Sequence, residues 1–275
     1  MVAWPADGGR RGRIPMATQA ASGGAIDIGR VIQRGFQTLG RQFYVFFGLA
    51  VLLTAIPAII VGLLIVPQAL SAGAATDPTA ALAIFASPGF WLSMLIAVLC
   101  SVLLQAAVVR ASILDLRGDK VDIGTTLVES LKLILPMIGL SILTSIIVGI
   151  GLVLLIVPGI IAFIVLIVSV PALVGERKGV IESMSRSSEL TKGTRGRIFL
   201  LLLIFCVLYW IASFIVGLLI NPMMSSGSMT VALILQSIFS AVVSLVGAVM
   251  VASLYVELRM VKEGVSEQGL ASIFA

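Results

Sequence analysis

Long apolar stretches free of charge alternate along this chain with short basic segments. The charge-free stretches run from Gln42 to Thr76, Pro78 to Val109, Leu133 to Gly175 and Ile198 to Val256, and only Asp77 separates the first two. A hydrocarbon core of about 30 Å takes roughly 20 helical residues at about 1.5 Å each. Leu133 to Gly175 would reach about 65 Å as a single helix, yet both its ends are basic: Lys132 on one side, Arg177 and Lys178 on the other. It reads as a hairpin, broken near Gly149-Ile150-Gly151. Ile198 to Val256 folds back in the same way, with Asn221-Pro222 and Ser225-Ser226-Gly227-Ser228 as turn chemistry. In the first pair, Asp77-Pro78 and Ser87-Pro88 each put a capping side chain before a proline suited to a first helical turn. That predicts an outer loop carrying a short helix. The expected spans are about 43–66, 88–110, 133–148, 152–173, 198–220 and 230–256. The fold class is all-α: a polytopic membrane protein of six transmembrane helices, arranged as three hairpins.

The polar segments between the hairpins repeat a form. Ile26-Asp27-Ile28-Gly29 returns as Val121-Asp122-Ile123-Gly124, each Asp placed to cap a following helix. Gly179 to Arg197 holds the same place before the third hairpin with different residues. Cytoplasmic interfacial amphipathic helices are therefore expected before each hairpin. In the first, Arg30, Arg34 and Arg41 share a helical face with Gln37, while Ile28, Val31, Ile32, Phe36 and Leu39 fall largely on the other. This predicts a helix at the level of the lipid headgroups. Residues 1–24, rich in Gly, Ala and Pro and carrying Arg10, Arg11 and Arg13, read as a disordered cytoplasmic tail. Residues 25–262 form the six-helix domain and 263–275 a short cytoplasmic tail. The first long apolar run starts near Phe43 and outlasts the roughly 7 to 15 residues of a signal-peptide core, so no cleaved export signal is expected. Met16 is an alternative start that removes three arginines and no span.

Composition turns these helices into membrane spans. Hydrophobic residues make up 59% and charged residues 11%, against about 25% charged in soluble proteins. All 18 Lys and Arg can be placed on one side of a bilayer, and basic loops stay cytoplasmic. The expectation is a bacterial inner (plasma) membrane protein with both termini in the cytoplasm. A net charge of +5 without a separate soluble domain points to anionic lipid headgroups as partners and not to nucleic acid.

Small residues recur every fourth position at Thr54, Ala58 and Gly62, at Ser141, Ser145 and Gly149, and at Ser240, Ser244, Ala248 and Ala252. Such stripes let helices approach closely. Read instead as a polar path, Thr54, Ser141, Ser145, Ser240 and Ser244 would line it. Gln105 and Gln236 are the most polar groups in the spans and suit interhelical hydrogen bonds. Cys100 and Cys206 lie inside spans and read as small hydrophobes. The chain has no His, which excludes a histidine triad and an imidazole base. No phosphate-cradling Gly-Lys-Ser/Thr loop is present. No catalytic residue, metal site or cofactor is expected.

Pro171-Ala172-Leu173-Val174-Gly175-Glu176, then Gly179, Arg186-Ser187, Leu190-Thr191 and Gly193, resembles the bacterial membrane-domain family named for the membrane portion of glycerophosphoryl diester phosphodiesterases. The resemblance extends from about Ile26 to the sixth helix and includes Val157-Pro158-Gly159. It implies a stand-alone polytopic domain of uncharacterised activity. The phosphodiesterase activity of the named members resides in a soluble barrel with His and acidic metal ligands, and this chain has neither.

In this stretch Glu176, Arg177, Lys178, Glu182, Arg186, Glu189 and Lys192 crowd together. Glu182 and Arg186 are spaced for a helical pair. Glu176 is expected to pair with Arg186 or with Arg110, leaving Arg177, Lys178 and Lys192, with Arg30, Arg34 and Arg41, as candidates for lipid headgroups. The functional expectation is a membrane-organising or lipid-interacting helical module; the alternative is a transporter or lipid-translocation component.

Overall fold

The structure, a computed structural model, describes residues 26–71, 78–117, 122–225 and 228–264, and both helices that follow the repeated Asp begin on its capping side chain. The tail at 1–24, the Asp77 cap and the C-terminal tail beyond Gly264 lie outside the described residues. Asp27 Oδ1 accepts from the Arg30 N–H (3.3 Å) and opens α1 (Ile28–Arg41). Asp122 Oδ2 accepts from the Thr125 N–H (2.8 Å) at the start of α6 (Ile123–Lys132). The two copies of the repeat thus start a helix by the same bond. Between α4 (Pro78–Ala86) and α5 (Pro88–Arg117), Ser87 Oγ accepts from the Phe90 N–H at 3.3 Å.

Among the described residues, six helical stretches are long and apolar enough to cross a membrane: Phe43–Leu63, Pro88–Ser112, Ile134–Leu154, Ile156–Glu176, Arg195–Met223 and Thr230–Glu263. The chain is an all-α, multi-pass membrane protein, and no strand occurs among the described residues. Its first span joins α2 (Phe43–Ala50) to α3 (Ile56–Ser71) through one π-helical turn, Val51–Ala55. Pro57 explains the widening: it has no N–H to give and its ring crowds the carbonyl four residues back. The Ile56 N–H reaches the Val51 carbonyl instead, a five-residue step.

The middle pair departs from expectation at its tip. α7 (Ile134–Leu154) continues through Gly149 and Gly151, and the chain breaks at Leu155, extended at φ −160°, before α8 (Ile156–Leu166). Gly151 serves close approach, not the break, while Gly149 has open space around it. A Cβ on Gly151 would stand 2.8 Å from the Gly159 Cα, and one on Gly159 would stand 2.4 Å from the Leu152 Cγ. α11 (Arg195–Ser225) likewise carries Pro222 within its last turns, so of the expected turn residues Asn221 and Pro222 are helical and Ser225 ends the helix, while Ser226 and Gly227 lie outside the described residues. α12 (Met229–Glu263) runs about two turns past the predicted end and stops at Gly264, where φ is 64°. A left-handed position of that kind favours glycine.

The fourth span is itself interrupted. Pro171 cannot donate to the Ile167 carbonyl, and the helix breaks at Ile167 and Val168 before resuming as α9 (Ser169–Glu176). The fully buried Ser187 of α10 (Val180–Thr191) closes part of the gap, its hydroxyl donating to the Val165 carbonyl at 2.6 Å.

α12 is the central element, packing on α1, α2, α3, α5, α9, α10 and α11. It gives Val249 and Leu245 to one apolar cluster with Phe46 and Leu104, Leu254 and Tyr255 to a second with Ile198, and Ala252 to a third with Met137 and Leu173. α11 presents Leu208, Trp210, Phe214 and Leu219 outward, a face that only lipid or protein would cover. Aromatic pairs mark both ends of the bundle: Phe43 with Tyr44 beside Arg41, and Phe90 with Trp91 on α5. Trp91 to Arg110 spans about 28 Å of helix, close to the hydrocarbon thickness.

Candidate functional site

The ends of α5, α9 and α12, the start of α11 and the short helices α1, α6 and α10 meet through ion pairs and hydrogen bonds at one pole of the bundle. Glu257 on α12 has no exposed surface. Arg34 Nη1 donates to its Oε2 at 3.0 Å, and Arg30 Nη1 stands 3.6 Å from its Oε1. These bonds join residues more than two hundred positions apart and fix α1 on α12. Gly35 permits the approach, since a Cβ there would lie 2.8 Å from the Met250 sulfur. α1 thus turns part of its basic face toward protein. Arg41 faces Asp115 at 3.8 Å, and Asp115 also accepts from Gln42 at 3.1 Å.

A second network surrounds Glu176 at the end of α9. Arg186 Nε donates to both of its oxygens, at 2.9 and 3.1 Å; the Tyr255 hydroxyl donates at 2.9 Å; and Lys178 Nζ lies 2.8 Å away. Arg186 also bonds Glu263, and Glu263 accepts from Arg259 Nε at 2.8 Å. Three helices are tied by side chains that satisfy one another, which is the condition for keeping charge at a partly dry site. Glu182 does not reach Arg186 here; its carboxylate turns back to the Gly179 N–H at 3.4 Å.

Arg110, which sequence reasoning offered to Glu176, instead stands 3.9 Å from Glu129 of α6. Lys132 Nζ contacts the other oxygen of Glu129 at 2.5 Å. That hydrogen bond and the Lys132 charge, with Arg110 and Arg177 adding less, hold the Glu129 carboxyl below the usual carboxylate range. Around this carboxylate lies a pocket of about 230 Å³ lined by Arg110, Glu129, Lys132, Arg177 and Lys178 above an apolar floor of Leu133, Pro136 and Leu173. Four cations and one carboxylate line it, and one of the cations, Lys178, also pairs with Glu176. Arg177 adopts a left-handed backbone conformation (φ 50°, ψ 35°), a strain on the order of 1 kcal/mol for a residue with a Cβ.

A larger groove of about 470 Å³ opens where the fourth span breaks, between α5, α7, α9 and α12. Ser101, Gln105, Ser141, Thr144, Ser145, Ser169 and Ser244 give it polar points on a wall that includes Leu104, Phe163 and Val251. Three of the small-stripe serines therefore face the groove. Ala248 of the same stripe lines it too, Ala252 is buried in helix contacts, and Thr54 and Ser240 do not line it.

The structure thus joins Glu176 to Arg186, places Arg177 and Lys178 with Arg110 and Lys132, and leaves Lys192 exposed just after α10. Glu257, Tyr255, Arg259 and Glu263 were not among the candidates. The available signal was the apolar periodicity continuing past Val256 through Leu258 and Val261, which keeps those charges on a packed helix. Among the described residues no three His, Cys, Asp or Glu gather as metal ligands.

A family described as a domain of unknown function (DUF7847) matches residues 120–258, from α6 into the last turns of α12. No curated protein and no solved structure gives a match.

Proposed function

The chain belongs to the DUF7847 family, and from that premise we propose that it is a lipid-interacting, membrane-organising helical module without catalytic activity. In this reading it resides in a bacterial inner membrane with both termini in the cytoplasm, because the basic segments share the pole described above. The pocket of Arg110, Lys132, Arg177 and Lys178 carries the proposal. Its cations outnumber Glu129 and sit over apolar residues, the arrangement that suits an anionic headgroup resting at the edge of the hydrocarbon. Arg30 and Arg34 are less suited to that role, since Glu257 engages them.

The test is native mass spectrometry of the full chain extracted gently with its own lipids. Anionic phospholipid is expected on the wild type and lost when Lys132 and Arg177 are both changed to Gln. Equal retention by both proteins would overturn the reading. The choice of residues matters: altering Arg34 would expose a buried carboxylate and report on folding.

The groove favours a second reading, a transporter or lipid-translocation component, because its hydroxyls line a continuous recess in the spans. Changing Ser141, Ser145 and Ser244 to Leu should then stop flux of labelled lipid in proteoliposomes while thermal stability is kept. Unaltered flux would remove this alternative. Kinship with the membrane portion of glycerophosphoryl diester phosphodiesterases is proposed on the Pro171 to Gly193 signature together with Val157-Pro158-Gly159; the signature residues supply the break in the fourth span, the Glu176 network and the Ser187 tie.

A further inference from the structure

The cationic pocket and the groove lie on the same seam. Val109 lines the groove and Arg110 the pocket, one after the other on α5; Leu140 and Pro136 are one turn apart on α7; Pro171 and Leu173 are two residues apart on α9. At about 1.5 Å per residue, Gln105 lies about 8 Å from Arg110 along α5, and Ser145 about 14 Å from Pro136 along α7. The two recesses therefore follow one another from the charged pole into one leaflet of a core about 30 Å thick, meeting at the packed Val109, Leu140 and Leu173.

Ser169 indicates what belongs there. It is 2% exposed and lines the groove, and its hydroxyl has no hydrogen-bond partner. An unbonded hydroxyl kept from water is costly, and the groove is the route by which an acceptor could reach it. Such an acceptor must be uncharged, because no cation lines the groove. In a phospholipid an ester carbonyl lies just below the phosphate, and an acyl chain follows it.

We propose that the seam binds one anionic phospholipid: its phosphate among Arg110, Lys132, Arg177 and Lys178, an ester carbonyl accepting from Ser169 or Gln105, and one acyl chain along Leu104, Phe163 and Val251. This rests on the headgroup reading above and adds the ester and chain positions. The occupant is a lipid and not a soluble phosphate compound, because the polar and apolar contacts follow each other with depth as they do in a lipid. A volume of about 470 Å³ is also within the usual range of small-molecule sites, roughly 300–1,000 Å³.

Gly247 lines the groove, and a Cβ added there meets nothing within 4 Å, so Gly247→Leu fills the recess without pressing on the backbone. Ser145→Phe, also in the lining, replaces it should that variant fail to fold. Delipidated full-length protein would be titrated with dioleoyl phosphatidylglycerol and followed by native mass spectrometry, with dioleoyl phosphatidylcholine and glycerol 3-phosphate as comparators. Wild type is expected to take one phosphatidylglycerol in preference to phosphatidylcholine. Gly247→Leu, Ser169→Val and Arg177→Gln should each weaken that binding about tenfold, and glycerol 3-phosphate should not compete. Loss of binding in Arg177→Gln with no change in Gly247→Leu would leave the headgroup pocket standing and overturn the groove. Equal affinity for both phospholipids would overturn the headgroup part, and displacement by glycerol 3-phosphate would make the pocket a site for soluble phosphate compounds.

Discussion

Glu257 has no contact with solvent, and a carboxylate in that state is tolerated only while cations stand against it. Its two sides are unequal. Arg34 keeps part of its side chain at the surface and can hydrate if its partner is neutralised, whereas Glu257 has nowhere to turn. Arg34→Gln should therefore cost about 3–5 kcal/mol, and Glu257→Gln clearly less. The double variant should be less destabilised than the sum of the two, which denaturant unfolding in bicelles would measure. Equal single losses would mean that Arg34 acts mainly through packing. The sequence made some of this scale visible: Glu176 and Arg186 are ten residues apart, and the turn between them leaves few alternatives. The pairing of Arg34 with Glu257 was not visible, because any cation at the same depth would have served equally well until the helices were placed.

At the scale of elements, the caps and spans were largely readable. Asp27 and Asp122 were recognisable because a capping bond needs only a side chain and an N–H three residues on. The tip of the middle pair was not. Two glycines in a helical stretch are compatible with a turn or with two backbones in contact, and only the position of Gly159 distinguishes them. Gly151→Ala should cost about 1–3 kcal/mol, since its new methyl meets backbone. Gly149→Ala, with open space around it, should be neutral or stabilising by about 0.5–1 kcal/mol. Thermal unfolding of the two variants side by side checks this; similar losses would return the turn to Gly149-Ile150-Gly151.

For the whole molecule, the charged pole and its opposite end define an orientation that can be tested directly. With Cys100 and Cys206 changed to Ala, Leu155→Cys at the middle tip should react with an impermeant maleimide added to intact spheroplasts. Gly179→Cys, at the charged pole, should react only after lysis. The reverse labelling would place the basic pole outside. Sequence alone determined the six spans and the segregation of charge, because hydropathy and the cost of burying charge act residue by residue and need no knowledge of neighbours. Tertiary structure decided which carboxylate each arginine meets, how far α12 extends into the core as a charged helix, and that the broken fourth span opens a groove beside a cationic pocket. Those outcomes depend on distances between elements remote in the chain, and a linear pattern of residue types does not contain them.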